Sequence, residues 1–340
     1  MEGTPKMKSR KPLDQQVIVI TGASSGIGLA TARMAAERSA KVVLAARNGE
    51  VLASEQEAIE RAGGEAIHVV ADVGNRAEVK AIAEAAVKRF GRIDTWVNDA
   101  GLSIFGRLEE VSDEDSQRMF QTNFWGVVHG SLVAAPHLKR SNGTLINLGS
   151  VASDISFPLQ GMYCASKHAI KGFTDALRIE LEEEGASVAV TLIKPAAIDT
   201  PFASNAKNYT DREVKLPPPV HRTEEVAEAI LHAAVHPRRD IYVGGAGPIM
   251  SVAQKLAPRT FDRIGRSMIE QQQRDEPARH RDGALYHSKT GGRTAGGYPG
   301  HVMRRSLYTR GSLHPLTTMA VVAGVGLAAA SLLNSSARRS

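Results

Sequence analysis

From Gln16 to Val243 the chain alternates apolar runs rich in Val and Ile with segments whose apolar residues recur every three or four positions. The runs VIVIT (17–21), KVVLAA (41–46), AIHVV (66–70), IDTWVN (93–98), GTLINLGS (143–150), SVAVTLIKP (187–195) and DIYVG (240–244) are nearly continuous in apolar residues. Such runs predict strands covered on both faces. The intervening segments, LATARMAAERSA and AEVKAIAEAAVKRFG among them, are long enough to cross over a sheet and end near glycine or a small residue. Seven strands separated by helices predict an α/β fold with a doubly wound parallel sheet. Ligands in that architecture bind outside the carboxyl ends of the strands.

Beyond Gly244 the pattern changes. PIMSVAQKLAPRTFDRIGRSMIEQ keeps a helical spacing of Ile, Leu, Phe and Met, interrupted by Pro258, whereas RDEPARHRDGALYHSKTGGRTAGGYPGH is polar, basic and Gly-rich without periodicity and reads as a linker or weakly ordered segment. The run LTTMAVVAGVGLAAASLL (316–333) carries no charge over 18 residues, the lower limit for spanning a bilayer. It reads either as a membrane anchor or as a buried C-terminal helix or oligomer contact. The expected organisation is a flexible leader (1–13), the α/β domain (14–250), a basic, partly disordered extension (251–314) and the apolar segment (315–340).

Charge sharpens this division. The net +6 splits into 28 basic against 31 acidic residues over 1–250 and 14 against 5 over 251–340. The basic character therefore belongs to the tail, and the body shows no nucleic-acid footprint. A cationic tail would be drawn to anionic headgroups. The lone Cys164 excludes an intrachain disulfide, and no Cys/His cluster has metal-binding spacing. A reducing, cytoplasmic setting without a metal site is expected, with membrane association through the C-terminus as an addition. The N-terminus lacks the apolar run of a secretory signal.

Candidate chemistry lies at two places. TGASSGIG (21–28) follows the first strand and opens a helix, where Gly22, Gly26 and Gly28 would let backbone N–H groups and a helix N-terminus approach a pyrophosphate. In YCASK, Tyr163 and Lys167 share a helix face, so the ammonium would favour the phenolate and lower a pKa ordinarily near 10.

Together with NDAG (98–101), Asn123 in QTNFWG, Ser150 in NLGSVAS and KPAAIDT (194–200), these motifs make residues 14–245 resemble the short-chain dehydrogenase/reductase (SDR) family. The resemblance implies a Rossmann-type fold, an NAD(P)-dependent oxidoreductase and a catalytic set of Asn123, Ser150, Tyr163 and Lys167. It further implies that Tyr163 exchanges the proton and that Lys167 also holds the nicotinamide ribose. Ser150 would hydrogen-bond the substrate oxygen, and Asn123 would support a proton relay. Cofactor contacts are implied at Gly22, Ser24, Ser25, Gly26, Ile27, Gly28, Asp72, Val73, Asn98, Tyr163, Lys167, Pro195 and Thr200. Two positions depart from the family pattern: Asp99 stands where a second asparagine is usual, and Ala196 where glycine follows the proline.

At the end of the second strand, Ala46 and Arg47 supply no carboxylate for a ribose 2′-hydroxyl but a cation for a 2′-phosphate, which favours NADP(H) over NAD(H), with Ser24 as a second phosphate ligand. Phe105, Ile155, Phe157, Leu159 and Met162 lean towards an apolar alcohol or ketone as the small-molecule substrate. The competing readings are a catalytically silent dinucleotide sensor and a membrane-tethered interaction protein. The family resemblance implies a homodimer or homotetramer.

Overall fold

A computed structural model describes residues 10–279, 281–289, 291–314 and 318. Its centre is a seven-stranded parallel sheet of β1 (Val17–Thr21), β2 (Lys41–Ala46), β3 (Glu65–Val70), β4 (Thr95–Asn98), β5 (Thr144–Leu148), β6 (Ala189–Pro195) and β7 (Asp240–Val243). The spatial order is β7-β6-β5-β4-β1-β2-β3. Strand order therefore reverses between β1 and β4, and the crevice at their carboxyl ends is where such sheets bind ligands.

Both faces are covered, as near-continuous apolar strands require. Ile18, Ile20, Val42 and Leu44 pack towards α1 (Gly26–Glu37), α2 (Gly49–Arg61) and a later helix, Thr223–Val235. The alternating Val17, Val19, Val43 and Ala45 pack towards α3 (Arg76–Phe90) and two helices that follow β4, α5 (Gly126–Ser141) and α6 (Gly161–Glu183). Between α3 and α5 lies α4 (Asp113–Phe120). Fully burying a Leu or Ile contributes roughly 1.5–3 kcal/mol, so this two-sided core fixes the register that carries the site.

All seven expected strands are present, with β4, β5, β6 and β7 shorter than expected. Asp94 precedes β4 because its carboxylate accepts from Val17 N (3.0 Å), and Ser150 leaves β5 to open a 3-10 turn over Val151–Ser153.

The extension departs from the linker reading. Gln273–Pro277 pairs antiparallel with Arg212–Val214, Val302–Met303 adds to Val220–His221, and the helix Leu307–Leu313 packs against β7. These contacts are largely made by backbone groups, which leave no periodicity in a sequence. Except for Thr318, the apolar run 316–333 lies outside the described residues, as do leader residues 1–9. Among the described residues no helix is long and apolar enough to cross a membrane.

Candidate active site

The first strand-to-helix turn needs glycine for space as well as conformation. Gly22 and Gly26 have φ of +75° and +55°. A Cβ on Gly28 would stand 2.5 Å from Gly22 O, so Gly28 lies beneath the turn and lets α1 close on it. Ser25, the N-cap of α1, makes no side-chain cap bond. No side chain of α1's own cap therefore takes its first-turn amides, of which Gly26 N donates to Arg293 O (2.9 Å), and Gly22, Ser24, Ser25, Gly26 and Ile27 line the cleft in front of them. This cradle, which a Cβ would fill, fits the pyrophosphate of a dinucleotide.

Arg47, Asp72 and Val73 line the opposite side of the same cleft. Asp72 accepts from Gly74 N (2.9 Å) and pairs with Arg118. Burial raises its pKa, but the Arg118 bond and the Gly74 amide prevail and hold it below the usual carboxylate value. Arg47 donates to the carbonyls of Leu285 (3.1 Å), Tyr286 (3.3 Å) and Ala284. The C-terminal segment therefore crosses the cleft, and its Ala284, Ser288, Lys289 and Gly291 complete the lining.

Asn98 corrects an expectation. Its side chain turns into the sheet, donating to Asn147 Oδ1 (2.8 Å) and Ser131 Oγ (3.2 Å) and accepting from Trp96 Nε1 (2.8 Å). It staples β4 and β5 to α5 and does not line the cleft. The adjacent Asp99, on the opposite side of the extended backbone, reaches the cleft instead. Burial pushes its carboxyl up to about 7, opposed by the Lys167 charge and the Gly28 N–H.

Ser150, Tyr163 and Lys167 converge on a second cavity of about 350 Å3 that adjoins the first at Asp99, Gly101 and Thr200. The Ser150 hydroxyl faces Tyr163 on this wall and favours its ionised form. The Ser150 oxygen accepts from Ala152 N (3.1 Å), which fixes the rotamer at the mouth of the 3-10 turn. Phe202 lies edge-on to Tyr163, with ring centroids 5.4 Å apart. Lys167 Nζ donates to Leu148 O (2.8 Å) and stands 5.7 Å from the Tyr163 ring centroid. Burial lowers the ammonium to about 8, with Asp99 pulling the other way.

The expected lowering of the phenol is not found in this geometry. Burial raises Tyr163 well above its ordinary value, and the nearby Ser150 hydroxyl offsets only part of that.

Asn123 is fully buried on a π-helical turn, Gln121–Trp125, between α4 and α5. The turn directs its amide inward, where it clasps the Leu102 backbone in both directions (2.8 and 2.9 Å) and reaches Ser166 Oγ (3.2 Å). A Cβ on Gly101 would lie 3.6 Å from Asn123 Oδ1 and 3.8 Å from Lys167 Nζ. The four residues Asn123, Ser150, Tyr163 and Lys167 thus meet around the ends of β4 and β5.

Pro195, Ala196 and Thr200 line the second cavity, as do Phe105 and Phe157. Ile155, Leu159 and Met162, read as pocket residues, are not on its wall; Ile155 is wholly buried in a core cluster with Phe261. Leu216, Met250 and Met268 complete the apolar wall. Met250 and Met268 come from helices Ala246–Leu256 and Pro258–Gln271, whose apolar periodicity was legible although their destination was not. Cys164 packs as a small core residue, its sulfur accepting from Phe157 N (3.3 Å) and its thiol pushed up to about 11 by burial. No group of residues suited to hold a metal ion occurs among those described.

The short chain dehydrogenase family profile matches residues 16–211. The uncharacterized oxidoreductase YxnA of Bacillus subtilis is 45% identical over 325 residues, covering 94% of this chain and 91% of that protein. The 11-beta-hydroxysteroid dehydrogenase A of Sesamum indicum is 35% identical, covering 66% of this chain and 67% of its own. Among solved structures, a short chain dehydrogenase/reductase from Burkholderia phymatum in complex with NAD is 30% identical with a TM-score of 0.63, covering 78% of this chain and 98% of its own. An alcohol dehydrogenase from Thermococcus sibiricus complexed with 5-hydroxy-NADP is 28% identical with a TM-score of 0.60, covering 67% and 95%. The seven-stranded doubly wound fold agrees with these matches: the chain belongs to the short-chain dehydrogenase/reductase family and is an NAD(P)-dependent oxidoreductase.

Proposed function

We propose that this oxidoreductase interconverts an alcohol and a ketone or aldehyde with NADP(H), using Tyr163 as the acid/base. The observation that carries the reading is the meeting of Ser150, Tyr163 and Lys167 on the wall of one apolar cavity, next to the glycine-lined cleft. When bound, the nicotinamide cofactor supplies the hydride for reduction or accepts it in oxidation. A carbonyl oxygen directed at Tyr163 and Ser150 receives two hydrogen bonds, which stabilise the negative charge that grows on it as its carbon is reduced. The Tyr163 proton then moves to that oxygen, completing the alcohol; oxidation returns the proton to the phenolate.

A phenol raised by burial is a competent donor but a reluctant phenolate. Lys167 therefore has to favour the phenolate as the proton leaves, and its partly lowered pKa lets it pass a proton on. Asn123 fixes the Gly101–Leu102 backbone past which a relay from Lys167 to solvent would run. Phe105, Phe157, Met250 and Met268 favour an apolar substrate body.

NADP(H) is favoured by Arg47 and Ser24 on the cleft wall, with Ala46 where an NAD-selective carboxylate would stand. Exposed Trp125 on the π-helical turn leading into α5, Leu132 on α5 and Ile179 on α6 favour a homodimer or homotetramer built on those helices. A panel of apolar ketones and aldehydes, assayed with NADPH and NADH, tests the reading. NADPH-dependent reduction is expected; absence of turnover across the panel with either nucleotide counts against it, and equal efficiency with NADH removes the cofactor preference.

A further inference from the structure

The segment that crosses the cleft takes up groups that a dinucleotide phosphate would use. Arg47, assigned above to a 2′-phosphate, gives its guanidinium hydrogens to three successive carbonyls, Ala284, Leu285 and Tyr286. At the other end, the first amide of α1, Gly26 N, donates to Arg293 O (2.9 Å), and Gly292 N donates back to Ser24 O (2.9 Å). Both positions where phosphate charge would be met are thus satisfied by neutral carbonyls of the same segment.

The segment is built to lie there. Leu285 is 1% exposed in a cluster with Leu102, Met119 and Tyr163, and Tyr286 Oη donates to Asp115 (2.7 Å). Further along, Thr294 O accepts from Thr223 Oγ1 (3.0 Å) and Gly296 N donates to Asp199 Oδ1 (3.1 Å). Its glycines permit the approach: a Cβ on Gly291 would lie 2.6 Å from Ser24 O, and one on Gly296 would lie 2.2 Å from Thr200 O.

We infer that residues 284–289 and 291–296 form an intramolecular strap that competes with the dinucleotide for Arg47 and for the N-terminal amide of α1, so that cofactor binding and strap closure exclude each other. The inference rests on the cofactor reading above. At the Gly26 amide a phosphate makes a charge-assisted hydrogen bond roughly twice as strong as that of a neutral carbonyl, and at Arg47 it replaces neutral carbonyls by an opposite charge, so the nucleotide displaces the strap. Its apparent affinity is reduced by the fraction of molecules in which the strap is closed. The apolar anchor at Leu285 sets that fraction, and the strap thereby gates access to the glycine-lined cofactor cleft.

Two lesions release the strap without touching a phosphate ligand. Leu285→Asp puts a charge into the anchor; Gly283→Val places a Cβ at φ +58° only 2.5 Å from Lys207 N. NADPH and NADH dissociation constants are measured by nucleotide fluorescence on the full chain, with thermal melts to confirm folding. In parallel, hydrogen exchange on the unaltered protein follows 284–296 as NADPH is added. The expected result is a five-fold or greater fall in both dissociation constants for either variant, and faster strap exchange in the saturated wild-type protein. Weaker or unchanged binding in folded variants, or a strap that stays protected at saturating NADPH, overturns the inference and makes the segment part of the binding site. Tighter binding of NADH than of NADPH, with both improved in the variants, removes the NADP preference and leaves the strap standing. Failure of every form to bind either nucleotide overturns both.

Discussion

Replacing Asp99 with Asn should stabilise the protein, and more so at higher pH. The carboxylate lies among Gly22, Gly28 and Lys167, and burial pushes its pKa from 3.8 up to about 7. The folded protein therefore holds a proton at Asp99 between about pH 4 and 7 that the unfolded chain has released. Ionising it costs stability progressively as pH rises through that window, and the cost is constant above about 7. Three pH units correspond to about 4 kcal/mol as a ceiling. Because the carboxylate borders two cavities and is reached by water, roughly 2 kcal/mol is the working figure. Asn keeps an oxygen for the Gly28 amide but carries no charge. Urea unfolding at pH 5 and pH 8 should show a gain at both, larger by about 1–2 kcal/mol at pH 8. The same change removes the charge that supports the Lys167 ammonium, so the basic limb of the kcat profile should move to lower pH. Equal stability changes at the two pH values, or a loss at pH 8, would refute the placement of an ionisable, desolvated carboxylate here.

Two further outcomes follow from the same geometry. Arg47→Asp should lower the ratio of NADH to NADPH dissociation constants by at least 100-fold, since it replaces charge-assisted bonds of about 1.5–3 kcal/mol with repulsion. Taking the ratio cancels any effect of freeing the strap, and an unchanged ratio would dismiss Arg47 as the discriminating group. If the run 316–333 is an anchor, full-length protein should partition with membranes and a chain ending at His314 should not; two soluble fractions would remove the tether.

The sheet was legible because seven apolar runs of strand length need cover on both faces, and helices long enough to cross over lie between them. The candidate catalytic residues were legible because they stand at motif positions, and the chain brings Ser150, Tyr163 and Lys167 to one cavity. Asn98 was misplaced for a simple reason: side chains alternate along a strand. In NDAG it is Asp99 whose side faces the cleft, while Asn98 faces α5. The Tyr163–Lys167 spacing gave proximity but not the balance of forces, because burial of the phenol outweighs an ammonium bonded to Leu148 O. The strap left the faintest trace. Its contacts run through carbonyls and amides, and its glycines, which read as looseness, serve close approach to Ser24 and Thr200.

The central claim, proton transfer by Tyr163, is tested most directly by Tyr163→Phe in a single-turnover reduction with bound NADPH. The substitution keeps the ring against Phe202 and leaves the glycine turn intact. The account predicts NADPH affinity within a few-fold of wild type and carbonyl reduction slowed by at least 100-fold, the lower end of what a positioned acid contributes. Turnover at the wild-type rate by a variant that binds NADPH normally would contradict it.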